Sequence, residues 1–203
     1  MEGRNKKLDS IEFYNKNAAD YFDQTVILDM QESLDRFTEL LPEGGSILDL
    51  GCGSGRDSAY FMSCGFDVTA MDASEEMCSL ASIHIGQDVL QMTFAEMDFD
   101  KVFDGIWACA SLLHVPSNEI EEILSKVIKS MKRNGILFMS FRYGEFEGER
   151  DGRYYTDYQT RTLKELIAKY EELDLIEIKK SEDVRPNKVN LWINALIRKS
   201  DAI

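Results

Sequence analysis

Gly51, Gly53 and Gly55 alternate with Cys52 and Ser54 just after Asp49, in the stretch ILDLGCGSGRDS. Glycines so placed let a ligand lie directly against the backbone, and a strand before them with a helix after them is a common holder of nucleoside cofactors. Two cofactor classes compete for it. The dinucleotide fingerprint, GxGxxG, rests a pyrophosphate on the helix N-terminus, and Arg56 stands where that spacing needs its last glycine. The bland alternative is a tight strand–helix connection with no ligand.

Two further groups carry chemistry. His114 follows a strand on the side where parallel sheets bind ligands, and imidazole is suited to accept a proton near neutral pH; a structural hydrogen bond is the competing reading. The segment FRYGEFEGERDGRYY (141–155) holds Arg142, Arg150 and Arg153 among glycines, acids and aromatic residues. Its glycines permit hinge-like conformations, its rings can cover an apolar pocket, and its arginines suit a carboxylate or phosphate. Against this stands a solvated loop whose arginines pair with Glu145, Glu147, Glu149 and Asp151.

These residues need a scaffold. The runs SILDL (46–50), DVTAM (67–71) and ILFMS (136–140), separated by helix-like stretches, predict a parallel α/β sheet; DGIWACA (104–110) adds a strand and DVLQM (88–92) an edge strand. Helices are expected over 56–64, over 74–84 with Ser74 as cap, and over 118–133, stopped by Asn134-Gly135. The last places Ile120, Ile123, Leu124, Val127, Ile128 and Met131 on one face. Residues 11–22 and 27–41 read as two helices before the first strand. A helix over 160–173 and strands over 175–184 and 189–199, joined by Arg185-Pro186-Asn187-Lys188, predict a terminal antiparallel hairpin. Trp107 and Trp192 are expected to pack the core.

The chain has 203 residues, 44% of them hydrophobic, which suits one domain with one core. Its net charge of −14 repels phosphate backbones at long range and disfavours a nucleic-acid partner. Cys52, Cys64, Cys78 and Cys109 form no CxxC pair and combine with His84 and His114 at no zinc spacing, so reduced thiols and no metal are expected. Residues 1–14 lack the apolar core of a signal peptide, and no run reaches the roughly 20 apolar residues that span a bilayer. A cytoplasmic protein without a membrane partner is the expectation.

The pattern DxGxGxG from Asp49, with the Asp of VTAMDAS, resembles the first motifs of the class I S-adenosylmethionine-dependent methyltransferases. The resemblance runs from about residue 10 to the terminal hairpin. It implies a Rossmann-like three-layer sandwich whose seven-stranded, mostly parallel sheet ends in an antiparallel hairpin. Gly-Arg-Asp-Ser and AYFMSCGFDVTAMDAS look most like the tellurite-resistance type and related small-molecule enzymes. By that likeness Gly51 and Gly53 pass under the methionine part of the cofactor, Asp49 orients its amino group, and Asp72 grips the ribose, as a carboxylate can grip a vicinal diol. Cys52, Arg56, Ala73, Met77, Thr93, Phe94 and Ala110 complete the expected cofactor surface. Many relatives place Asp where Thr93 aligns, so adenine would be held through Thr93, Phe94 and main-chain amides. Tyr14 and Tyr21, in YNKNAADYF, match a pattern that closes over the methionine end, although residues seven apart also share a packing face.

The expected organisation is one domain over 1–203: covering helices to residue 45, a cofactor core over 46–140, an acceptor-side lid over 141–159, and a helix and hairpin over 160–203. Arg142, Tyr143, Arg150, Arg153 and Tyr154 would meet the methyl acceptor, with Arg185 joining them or lying exposed, and His114 is the catalytic candidate. The function implied is methyl transfer from S-adenosylmethionine to a small, anionic molecule. The rivals are a cofactor-binding regulator or partner subunit and an NAD-dependent oxidoreductase.

Overall fold

The computed structural model describes residues 6–186 and 188–200; Asn187, within the expected hairpin turn, and residues 1–5, within the segment read for a leader, lie outside them. Its main sheet has seven strands: β1 (Ser46–Leu50), β2 (Asp67–Asp72), β3 (Leu90–Gln91), β4 (Phe103–Ala108), β5 (Met131–Arg142), β8 (Leu173–Glu182) and β9 (Leu191–Lys199). Their order is β3-β2-β1-β4-β5-β9-β8, with β9 antiparallel to both neighbours and all other pairs parallel. The order reverses between β1 and β4. In an open α/β sheet that reversal leaves a crevice beyond the strand ends, and the glycine turn opens directly into it.

Neighbouring residues on a strand face opposite sides, so β1 feeds two cores at once. Leu48 and Leu50 pack with Ile123, Leu124 and Val127 of α5 (Ile120–Ser130) on one face. Ile47 packs on the other with Phe37 of α2 (Gln31–Thr38) and Phe61 of α3 (Arg56–Ser63). Trp107 of β4 is fully buried there, stacked on Phe138 at 3.9 Å, while Trp192 is only partly buried and packs at the edge of the first core. Helix α4 (Glu75–Ile85) follows β2, and Ser74 caps it by accepting the N–H of Met77.

Several boundaries differ from expectation. Helix α5 ends at Ser130 and not at Asn134-Gly135, because Met131 turns extended and pairs with Phe103 in the sheet. Asn134, at φ 62°, instead belongs to the irregular register between Phe103 and Gly105. Helix α6 (Thr160–Ile167) is shorter than predicted, since Leu173 is claimed by β8 opposite Lys199. Helix α2 begins only at Gln31, whose N–H is taken by the Asp29 carboxylate. The segment after β5 is no simple loop: β6 (Glu147–Arg150) and β7 (Arg153–Thr156) pair as a separate antiparallel ribbon. Helix α1 (Lys6–Thr25) lies against this ribbon, where Ser10 Oγ accepts the Tyr154 N–H at 2.9 Å.

Candidate active site

The glycine turn joins β1 to α3 through three left-handed glycines, Gly51 (φ 80°), Gly53 (φ 54°) and Gly55 (φ 73°). At Gly51 the requirement is also spatial, because a Cβ there would sit 2.6 Å from the Ser111 Cβ. At Gly55 it would meet Ile85 at 2.9 Å, so that glycine serves the packing of α3 on α4. The turn is pinned from below, the N–H groups of Gly51 and Cys52 both donating to the Met71 carbonyl at 2.9 Å. From the side, Gly53 N–H donates to Asp72 Oδ2 at 3.0 Å, and Ser74 N–H donates to Asp72 Oδ1 at 2.9 Å. Burial pushes the Asp72 carboxyl up, against the pull of these backbone donors.

Asp49 is 3% exposed and accepts the Ser58 hydroxyl at 2.6 Å. Burial, reinforced by the neighbouring Asp57 carboxylate, pushes Asp49 up to about 7. Asp57 is itself held by Arg56, whose Nε and Nη2 donate at 2.7 and 2.8 Å, and by the Trp107 indole N–H at 2.8 Å. Arg56 also reaches the Thr25 carbonyl at the end of α1. Its charge is thus spent on Asp57, beside Asp49, which has no ion-pair partner among the described residues.

These groups surround a cavity of about 250 Å³. Its wall includes Tyr14, Tyr21, Asp49, Gly51, Cys52 and Gly53. It also includes Arg56, Asp72, Ala73, Met77, Thr93, Phe94, Ala110 and His114, so the cofactor candidates and the catalytic candidate converge on one space. Thr93 reaches the wall with its hydroxyl donated to Glu96 at 2.8 Å. Tyr21 stands over the glycine turn, and Tyr14 meets it edge-on at 5.0 Å on the far side. Helix α1 is irregular between the two rings, at Asn17 (φ −116°, ψ 16°), whose side chain caps the Phe13 carbonyl at 2.7 Å.

The acceptor-side candidates lie apart. Arg142, Tyr143, Arg150, Arg153 and Tyr154 are not on the cavity wall. Arg150 stacks on Phe146 and pairs with Asp157 at 3.5 Å, an acid outside the four expected as partners. Tyr143 covers Lys180, and the Tyr154 hydroxyl donates to Glu147. Arg142 lies 4.5 Å over the Tyr155 ring, and Arg153 lies 4.5 Å over Phe13 with Nη1 3.5 Å from the Tyr14 hydroxyl. Both arginines keep a buried Nε without a hydrogen-bond partner among the described residues.

Arg185 does line the cavity, with its guanidinium locked on Asp183. Sequence reasoning missed the wall that the terminal strands supply through Asp183, Trp192 and Asn194. It also missed Ser111, whose buried Oγ faces the cavity with no hydrogen-bond partner among the described residues. Its only signal was its place after Ala110, which β4 delivers at φ 53° with its N–H held by Ser140.

Both ring nitrogens of His114 are engaged: Nδ1 lies 2.6 Å from the Tyr154 carbonyl oxygen and Nε2 lies 2.9 Å from the Tyr14 hydroxyl. Burial, helped by Arg153 and Arg142, pushes it down to about 4 against the bond to Tyr154, so the ring is neutral at pH 7. Burial likewise pushes the Tyr14 phenol up. Among the described residues no acid, His and Cys cluster is placed to hold a metal, and no helix is long and apolar enough to cross a membrane.

A Cβ-free cradle at Gly51 and Gly53, buried acids with lone pairs to spare at Asp49 and Asp72, and an orphaned hydroxyl at Ser111 suit a cationic nucleoside with a ribose diol. Comparison with known proteins gives the same direction. Residues 47–135 match the family described as methyltransferase domain. The chain is 36% identical over 116 residues to YqeM of Bacillus subtilis, named as a methyltransferase, covering 52% of this chain and 47% of that one. It is 32% identical over 99 residues to the ubiquinone biosynthesis O-methyltransferase of Rickettsia typhi, covering 46% and 39%. The chain thus spans less than half the length of these two relatives. The fold matches the Burkholderia thailandensis 1,6-didemethyltoxoflavin N1-methyltransferase, solved with 1,6-didemethyltoxoflavin and S-adenosylhomocysteine, at a TM-score of 0.77 and 21% identity, over 94% of this chain and 87% of that one. Residues 47–135 thus match a methyltransferase domain, within a chain that has the class I S-adenosylmethionine-dependent methyltransferase fold.

Proposed function

We propose that the protein is an S-adenosylmethionine-dependent methyltransferase that transfers the methyl group to a small, anionic acceptor by in-line displacement. The observation that carries this is the convergence of Asp49, the glycine turn, Asp72, Tyr21 and His114 on one cavity. The sulfonium supplies an electrophilic methyl. The chain's own residues have the remaining tasks of holding the cofactor, aligning the acceptor and excluding water. Asp72 offers two oxygens to the ribose diol, and Asp49 offers the ammonium a buried carboxylate whose neighbour Asp57 is already paired. Tyr21 closes over the turn.

The anionic acceptor is supported by Arg142 and Arg153, each with an unmet buried donor beside the Tyr14 and Tyr155 rings. His114 lies on the cavity wall with both ring nitrogens engaged, and it positions the Tyr14 ring beside the acceptor. The narrower likeness to tellurite-resistance type enzymes, carried by the turn Gly55-Arg56-Asp57-Ser58, supports a small molecule over a polymer. The charge of −14 supports the same choice against nucleic acid, and we place the protein in the cytoplasm without a membrane partner. A regulator that holds the cofactor without transfer would use the same cavity. Calorimetry with S-adenosylmethionine, S-adenosylhomocysteine and NAD tests the reading: the first two should bind at one site and NAD should give no heat. Binding of NAD alone would overturn it.

A further inference from the structure

The contacts of His114 fix more than its position. A carbonyl oxygen only accepts, so the 2.6 Å contact with Tyr154 O requires the hydrogen to sit on Nδ1. The neutral ring then has a bare Nε2, which only accepts. Across the 2.9 Å contact the Tyr14 hydroxyl must therefore donate. Its hydrogen is committed to His114, and what its oxygen presents to Arg153, and to Tyr21 and the rest of the cavity wall, is lone pairs. Arg153 Nη1, at 3.5 Å, is a second group that can only donate to that oxygen. The polarity of Tyr14 is thus dictated from a backbone carbonyl of β7 through one imidazole.

The location says what this polarity is for. Tyr21 is the ring over the glycine turn, whereas Tyr14 is displaced from it toward His114 and Arg153, on the side of the unmet arginine donors. Taking the methyltransferase reading as its basis, we infer that Tyr14 is a specificity residue: a fixed hydrogen-bond acceptor, oriented by His114 as a positioning residue, that selects methyl acceptors carrying an O–H or N–H in addition to their anionic group. A phenol held this way rejects an ether or thioether of the same shape, because the phenol oxygen then faces another lone pair with no hydrogen between them. Neither group is poised to take a proton near neutral pH, so selection and aim are their roles, not general base catalysis.

The experiment has two arms and a control. The protein has two histidines, so His84→Gln, on α4 away from the site, leaves His114 as the single imidazole signal in a ring-¹⁵N-labelled sample. Long-range ¹H–¹⁵N spectra from pH 6 to 8 should show the Nδ1–H tautomer throughout. An Nε2–H tautomer, or titration within that range, overturns the inference. In the second arm, 4-hydroxybenzoate and 4-methoxybenzoate are titrated into protein saturated with S-adenosylhomocysteine. Wild type should prefer the hydroxy acid by about fivefold to tenfold, and Tyr14→Phe should erase the preference while keeping affinity for the methoxy acid. Equal binding of the pair to wild type, or binding of neither, overturns it. Calorimetry with S-adenosylhomocysteine is the control, since its failure removes the methyltransferase reading while the tautomer arm still reports on the Tyr14–His114 pair.

Discussion

Asp72 Oδ2 accepts the Gly53 N–H at 3.0 Å, so the end of β2 and the glycine turn are a single rigid unit. The carboxylate both shapes the cradle and offers its remaining lone pairs to whatever lies in it. Replacing Asp72 by Ala should weaken S-adenosylhomocysteine binding by about 1.5–3 kcal/mol, the range for a hydrogen bond to a charged group. Calorimetry reads this directly. Unchanged affinity would mean that the ribose is held elsewhere.

Gly51 and Gly65 separate two reasons for glycine. Both are left-handed, at φ 80° and 86°, but a Cβ at Gly51 meets Ser111 at 2.6 Å while one at Gly65 meets nothing within 4 Å. Gly65→Ala should cost only the backbone strain, about 1–2 kcal/mol. Gly51→Ala should cost about 1–3 kcal/mol more from the overpacked contact and should abolish cofactor binding as well. Urea denaturation compares the two; equal costs would show that Ser111 gives way freely.

Asp49 predicts a pH dependence of unusual sign. Its folded value, about 7, lies above the unfolded 3.8, so the folded state holds the extra proton between these values. The contribution to stability is therefore present at low pH and is lost as pH rises from about 4 through 7. Asp49→Asn should remove that slope and leave the protein more stable than wild type at pH 8, by roughly 2–4 kcal/mol. Cofactor affinity should run the other way in wild type, rising between pH 6 and 8 as the carboxylate becomes free to meet the ammonium. A flat affinity profile would place the ammonium away from Asp49.

The arginines of the ribbon should not behave alike. Arg150 is paired with Asp157, whose side chain is only 7% exposed, so loss of Arg150 should cost about 1–3 kcal/mol of stability while leaving acceptor binding alone. Arg153→Ala removes the cation beside Tyr14 and should raise the Michaelis constant of an anionic acceptor while sparing cofactor affinity. Steady-state kinetics on the two variants checks this; matching changes would make the ribbon a structural support.

What could be read in advance follows the range of the interactions involved. The glycine turn, the Ser74 cap and the apolar face of α5 are local patterns, and each appears in the sequence with its own periodicity or spacing. Arg153 meets the distant Phe13 and Tyr14, and Arg150 meets Asp157, seven residues on, only through the folding of the ribbon. Whether those arginines face an acid or the cavity depends on how β6 and β7 pair and dock against α1, which spacing alone does not reveal. Tyr14 and His114 stand 100 residues apart, so their contact exists only once α1 closes over the end of β4. The end of α5 was misplaced because Met131 satisfies the helical periodicity and the strand equally, and pairing with Phe103 decides between them.

The central claim is that the cavity transfers a methyl group and does more than hold a cofactor. Its most direct test incubates the protein with methyl-tritiated S-adenosylmethionine and a cellular small-molecule extract, then follows both the label and S-adenosylhomocysteine. The account predicts tritium moving into an anionic small molecule in step with S-adenosylhomocysteine, in wild type and not in Asp72→Ala at the same cofactor concentration. Bound S-adenosylmethionine that stays intact, with no labelled product, would contradict it and leave a cofactor-binding regulator in its place.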